Sequence, residues 1–363
     1  MKKTVLLVIC AALVLSTFTS CLRDAGTIDD DAGLGRDPGR IDVGTGDPVE
    51  DPDESDTSYA PPPLDNQTGD STDEPATDAP VVDEPTGKMW NVVGGRYVYN
   101  IPKPTRDLSD LSDIYATPKT LFADQGKDTT GSWYPGKTVR DPQTGEVTYS
   151  WDRYQSTKDL IEKYNAIYRG DEERKVCYLT FDCGYELGYT SILLDTLKEK
   201  NCPATFFLVG NYYRDEPELV NRMINEGHII GNHTIKHPNM TTVSAERFIE
   251  ELETVEREIA AQFPNANPLR YWRPPMGAAN EWVLKLADKM GLVTVMWSFA
   301  YYDYDTNNQP TVEAALEKSM AGLHNGCVYL FHTESSTNAA MMGQLIDQIR
   351  AAGYEILPIC DIK

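Results

Sequence analysis

His233 and His237 stand four residues apart in a chain that has only five histidines. On one turn of helix, an i, i+4 pair points both rings the same way, which is a common arrangement for holding a divalent metal. Four other polar residues sit at the ends of apolar runs or just beyond them. Asp182 follows Val176–Phe181, Arg273 follows Leu269–Trp272, and His332 follows Cys327–Phe331. Asp303 lies in the loop after Leu292–Trp297. A carboxylate set in an apolar stretch, as Asp182 is, can have the raised pKa that proton transfer near neutrality requires.

The elements that must position these residues begin at residue 176. From there, β-prone apolar runs alternate with segments of helical periodicity. Strands are expected at 176–181, 204–209, 228–231, 269–272, 292–297, 327–331 and 354–359. Helices are expected at 189–200 and 216–226, and from the cap Ser244 to about 262. Three more are expected from the cap Asn280 to about 290, at 311–324 and at 337–352. Seven strands alternating with six helices imply parallel strands joined by right-handed crossovers. The count and length favour a distorted (β/α)7 barrel over an open sheet, which stays as the alternative. In such barrels, chemistry gathers at the C-terminal ends of the strands. The six polar residues all fall at such ends, so they are expected to share one mouth.

These residues also form an ordered set of motifs. Thr180-Phe181-Asp182-Cys183 comes first, then His233-Thr234-Ile235-Lys236-His237 and Arg273-Pro274-Pro275-Met276-Gly277. Ala300-Tyr301-Tyr302-Asp303-Tyr304 and Leu330-Phe331-His332 follow. The set resembles the polysaccharide deacetylase family (carbohydrate esterase family 4, with its NodB-homology domain) over residues 159–363. Two motifs depart from the family pattern. Cys183 stands where the family has a second Asp, and the fourth motif keeps only its second Asp, as Asp303. Within the family, 160–168, 180–189, 226–233 and Asn307-Asn308-Gln309 resemble the muramic-acid deacetylases of spore formers.

The resemblance implies hydrolysis of an N-acetyl group on a glycan, peptidoglycan being favoured. It makes Asp182 the general base and His332 the acid that protonates the leaving nitrogen. Asp303 would orient His332 and keep it charged, and Arg273 would hold Asp182. A divalent metal, with zinc preferred, would be held by His233, His237 and Cys183, a thiolate being a good zinc ligand. Trp297, Tyr301, Tyr302 and Tyr304 are candidates for a sugar groove, although a strand position suits Trp297 better as core. Two other readings stay open. One is deacetylation of another polymer, such as an N-acetylglucosamine, chitin-like or O-acetylated glycan. The other is a glycan-binding protein that has lost catalysis.

Charge is distributed unevenly. The chain has 363 residues and a formal net charge of −23. Residues 22–87 hold 19 Asp or Glu against 3 Lys or Arg, a net −16. That stretch is rich in Gly, Pro, Ser and Thr and has few large apolar residues, so it is expected to be a disordered acidic linker. No basic patch with interleaved aromatics is present, so nothing suggests a nucleic-acid binder. Residues 1–21 read as an export signal, with Lys2 and Lys3 before the apolar run Thr4–Leu15. The run leads to Phe18-Thr19-Ser20-Cys21, which resembles a lipoprotein signal. That implies a lipid anchor on Cys21 and a catalytic domain outside the cytoplasm at the membrane. Ordinary signal cleavage and an uncleaved anchor are the alternatives. Residues 88–165 read as a loop-rich extension with Trp90, Trp133, Tyr134 and Trp151, packed on the 166–363 domain or forming a small wall-binding module. The chain has seven cysteines. Their spacing is not that of a disulfide framework.

Overall fold

Residues 88–122, 133, 136–145, 147–150 and 155–362 are described in the computed structural model. The expected export signal with Cys21, the acidic linker, and Tyr134 and Trp151 lie outside the described residues. The extension contributes a hairpin of β1 (Trp90–Val93) and β2 (Arg96–Tyr99), the short helix α1 (Ser112–Tyr115), and a second hairpin of β3 (Lys137–Arg140) and β4 (Val147–Ser150). Helix α2 (Gln155–Lys163) leads into β5 (Ala166–Ile167).

The repeating unit starts at β6 (Val176–Cys183), α3 (Thr190–Glu199) and β7 (Thr205–Leu208). It continues with α4 (Gly210–Asp215), α5 (Pro217–Asn225), β8 (Ile229–Asn232), α6 (Ala245–Gln262) and β9 (Tyr271–Trp272). Then come α7 (Glu281–Lys289), β10 (Val293–Val295), β11 (Phe299–Ala300), α8 (Val312–Ala321), β12 (Cys327–His332), α9 (Ser336–Ala351) and β13 (Glu355–Ile356). The strands β5 to β13 form one parallel sheet in the order β11-β12-β6-β7-β8-β9-β10-β5, with β13 also paired to β6.

This sheet curls into a partial barrel. β9 lies three places from β6 in the sheet, yet Arg273, just past β9, hydrogen-bonds to Asp182 and Thr180 on β6. The period-two alternation of a strand explains which residues face the interior. On β6, Cys177, Leu179, Phe181 and Cys183 belong to the apolar layer shared with α3 and α9. Tyr178 lies on the opposite face, with Phe207, Ile229, Val328 and Leu330. Asp182 continues that second row at the strand's C-terminal end. Large side chains buried this fully, such as Phe181, Phe206, Phe207 and Phe331, contribute roughly 1.5–3 kcal/mol each by leaving water.

All seven expected strands are present, and β5 and β11 are added. Both added strands are two residues long, too short to show a period of two. Ser244 and Asn280 cap α6 and α7 as expected, accepting from the amides of Arg247 and Val283 at 3.2 and 2.9 Å. The five cysteines among the described residues are buried and unpaired.

The extension shares a core with the barrel. Ile101, Ile114, Phe122 and Trp133 are buried in the same apolar cluster as α7 and β10. Trp133 Nε1 donates to the carbonyl of Trp297 at 2.8 Å. Gly277, at φ +61°, lies under both tryptophans, and a Cβ there would come within 2.5 Å of the Trp297 ring. Trp133→Ala is expected to lower unfolding free energy by about 3–5 kcal/mol in denaturant titration. An unchanged midpoint would mean that the extension folds independently of the barrel.

Candidate active site

Arg273 is fully buried, and its hydrogen bonds organise the mouth. Nη1 donates to Asp182 Oδ1 at 2.7 Å and Nη2 to Thr180 Oγ1 at 2.8 Å. Nε donates to the carbonyl of Val295 at 3.0 Å, and Nη2 also reaches that of Met296 at 3.3 Å. The guanidinium lies over the faces of Phe207 and Trp297. It is therefore fixed by β6, by β10 and the residue after it, and by two aromatic rings. Burial pushes the Asp182 carboxyl up. Arg273 above all, with His233 and His332, outweighs that and holds it below the usual carboxylate range. The raised pKa expected from the apolar run around Asp182 is therefore corrected: a strand sequence does not show the cation that arrives from another strand.

His233 and His237 do come together, with ring centroids 4.9 Å apart at 73°. They do so on an irregular loop and not on the expected helical turn. Thr234 and His237 have φ of 68° and 54°, in the left-handed region that non-glycine residues rarely occupy. The loop is held there by side chains. Asn232 Oδ1 accepts from the Thr234 amide at 2.9 Å. Glu251, fully buried on α6, accepts from the amides of Ile235 and Lys236 at 2.9 Å each through Oε2, while Oε1 receives Arg247. Sequence reading missed Glu251. Its signal was an acid on the same helix face as Phe248, Leu252 and Val255, where a solvated residue does not belong.

His233 Nδ1 lies 2.8 Å from the carbonyl of Arg273, so it carries the proton and leaves the Nε2 lone pair free. Nε2 faces Asp182 Oδ2 at 3.4 Å. Burial drops His233 to about 4, against the pull of Asp182, and the ring is neutral at pH 7. A neutral imidazole oriented through its other nitrogen is in the state a metal ligand requires. Cys183 is the correction here. It lies among the outward-facing residues of β6, the face opposite Asp182, and is fully buried in the apolar layer. It is hydrogen-bonded to Thr333, and burial raises its thiol well above the usual value. Among the described residues, no three His, Cys, Asp or Glu side chains are grouped to hold a metal ion. The two imidazoles fit a metal, and the thiol does not join them.

His332 and Asp303 form the second charged pair. His332 Nδ1 lies 2.7 Å from Asp303 Oδ1, and the His332 amide donates to Oδ2 at 2.8 Å. Asn338 Nδ2 donates to the same Oδ2 at 2.7 Å, and Gln309 Nε2 to the Asp303 carbonyl at 2.6 Å. Burial opposes charge on His332. The Asp303 carboxylate, with Glu334 and Asp182 behind it, overrides this and holds the imidazole up at about 9. β12 pairs with β6 so that His332 stands opposite Asp182. The two strand ends thus bring an ionised carboxylate and a charged imidazole to one mouth. Tyr304 packs edge-on against His332 and beside Tyr302, both partly exposed, while Tyr301 and Trp297 are buried core residues.

Since the folded-state pKa of His332 lies above the unfolded value near 6.5, its contribution to stability is full below that value and is lost as pH rises through about 9. The stability gap between the parent protein and His332→Gln should therefore be larger at pH 6 than at pH 10, by up to about 3 kcal/mol. A gap that does not change with pH would contradict the pairing with Asp303.

Comparison with known proteins places this geometry. A family model described as polysaccharide deacetylase matches residues 169–295. The peptidoglycan-N-acetylmuramic acid deacetylase PdaA of Bacillus subtilis is 41% identical over 211 residues, which are 58% of this chain and 80% of that protein. The solved structure of that PdaA, described as a family 4 carbohydrate esterase, matches with a TM-score of 0.59 and 38% identity. The match covers 63% of this chain and 95% of that one. A family 4 carbohydrate esterase structure from Bacillus anthracis matches with a TM-score of 0.51 and 36% identity, over 63% and 98% of the two chains.

Proposed function

Because this chain belongs to the polysaccharide deacetylase family, we propose that it removes N-acetyl groups from the amino sugars of peptidoglycan, N-acetylmuramic acid before N-acetylglucosamine. One observation carries the mechanism: the mouth holds a carboxylate kept ionised by Arg273 opposite an imidazole kept charged by Asp303. Two groups whose surroundings push their pKa values apart are suited to the base and acid roles.

Asp182 takes a proton from a water molecule as its oxygen attacks the acetyl carbonyl carbon. The C–O bond forms and the carbonyl electrons move onto oxygen. As the intermediate collapses, the C–N bond breaks and His332 gives its proton to the leaving nitrogen. Acetate and a free amine result. Arg273 holds Asp182 in line and disfavours its early protonation, and Asp303, bonded to Nδ1 of His332, keeps the ring charged so that Nε2 has a proton to give.

Deacetylases of this family generally depend on a metal ion. In this chain His233 and His237 would hold it, zinc suiting the imidazole donors, and it would supply Lewis-acid polarisation of the carbonyl and a lower pKa for bound water. The substrate assignment is supported by identity to the muramic-acid enzyme. We also infer that the chain acts outside the cytoplasm, tethered by lipid on Cys21. The support is the basic start at Lys2 and Lys3, the apolar run after it, and Phe18-Thr19-Ser20-Cys21.

The test is mass spectrometry of purified peptidoglycan after incubation with the full chain and with Asp182→Asn. Acetyl groups should leave muramic acid, a metal chelator should slow the loss, and Asp182→Asn should lower the rate by about 10²-fold or more. An Asp182→Asn protein as fast as the parent would overturn the mechanism. Acetyl loss from glucosamine alone would overturn the substrate.

A further inference from the structure

At Trp297 the chain changes neighbours. The Met296 amide still donates to the carbonyl of Ile167, at the end of β5, at 2.6 Å, while the Ser298 amide donates to that of Val328 on β12 at 3.0 Å. The Trp297 carbonyl falls between these two ladders. A buried carbonyl needs a donor, and Trp133 Nε1 supplies it at 2.8 Å from 164 residues away. The same switch point is the bed of Arg273. The two preceding carbonyls, of Val295 and Met296, accept from its Nε and Nη2 at 3.0 and 3.3 Å, and the Trp297 ring centre lies 5.7 Å from the guanidinium carbon. Residues 295–297 thus turn two carbonyls and a ring toward Arg273 and a third carbonyl toward Trp133.

Trp133 also meets the backbone that carries Arg273. The turn Pro275–Gly277 follows that residue and is pressed against both tryptophans. A Cβ on Gly277 would come within 2.5 Å of Trp297 Cη2 and 3.1 Å of Trp133 Cβ. One indole therefore braces the strand end that receives the guanidinium and the turn that follows its backbone. We propose that Trp133 is a positioning residue for the base: it fixes the bed of Arg273, and Arg273 carries that position to Asp182 at 2.7 Å. The loop-rich extension is thereby part of the apparatus for hydrolysis. This rests on the reading of Asp182 as the base. Misplacing an orienting group by about 1 Å can cost about 10²-fold in rate, even when the change lies away from the reacting atoms.

The test combines steady-state acetate release by the full chain with NMR hydrogen exchange at the Arg273 Nε–H. Trp133→Phe keeps an aromatic ring and removes the indole donor. Its kcat should fall about tenfold with KM little changed, and the Arg273 Nε–H should exchange at least about tenfold faster than in the parent. Trp133→Tyr, which restores a donor, should recover part of both, and it carries both readouts if the Phe variant does not fold. Ile114→Val thins the same apolar cluster at α1, where Ile114 is fully buried, and should keep the parent values. A Trp133→Phe protein with the parent kcat, or with Arg273 as protected as in the parent, would overturn the inference. An equal loss in Ile114→Val would overturn it too, since the effect would then be general loosening of the core. Should Asp182→Asn keep the parent rate, the base assignment fails instead, which separates the two outcomes.

Discussion

Neither Arg273 nor Asp182 could occupy the barrel interior alone. A single charge removed from water costs several kcal/mol, and breaking a buried pair by truncating one partner typically costs about 3–5 kcal/mol. Together they satisfy one another, and the remaining donors of Arg273 have fixed destinations. Its Nε binds the carbonyl of Val295, its Nη2 binds Thr180, and its own carbonyl receives the ring of His233. One residue therefore sets the ionisation of Asp182 and the closure between β6 and β10 through its side chain, and the tautomer of His233 through its backbone carbonyl. Trp297, which the extension grips through Trp133, lies beside the guanidinium. The support for this pair thus extends into residues far from any motif.

The second pair is built separately. Asp303 takes both ring and amide of His332, and Asn338 and Gln309 fix it from α9 and from its own loop. The two pairs use different strands and different partners, so Asp182 and His332 can be pushed in opposite directions within one mouth. Across the mouth each also favours the charge of the other. Two networks let one group stay ionised and basic while the other stays charged and acidic, and that division of labour is what amide hydrolysis asks of them.

Much of this was legible in the sequence because a parallel barrel converts strand ends into a site. Asp182, Arg273, Asp303 and His332 each follow an apolar run or its loop, and that pattern was enough to bring them together. What was not legible depended on direction and distance across the fold. Cys183 sits next to Asp182 in sequence, yet strand alternation sends it to the other face of the sheet. The lowered pKa of Asp182 comes from Arg273, 91 residues away. Glu251 carries no motif, and only its burial against the histidine loop reveals it. The spacing of His233 and His237 was a sound guide to their proximity but not to their backbone, which Asn232 and Glu251 hold in a left-handed turn.

The central claim is that Asp182 works ionised and His332 works protonated. The pH dependence of kcat/KM for acetate release by the full chain tests it most directly. The account predicts a plateau that begins at or below the ordinary carboxylate range and falls on the alkaline side with a midpoint near 9, where His332 loses its proton. A rate that instead rises through pH 9, as it would if neutral His332 were the base, would contradict it.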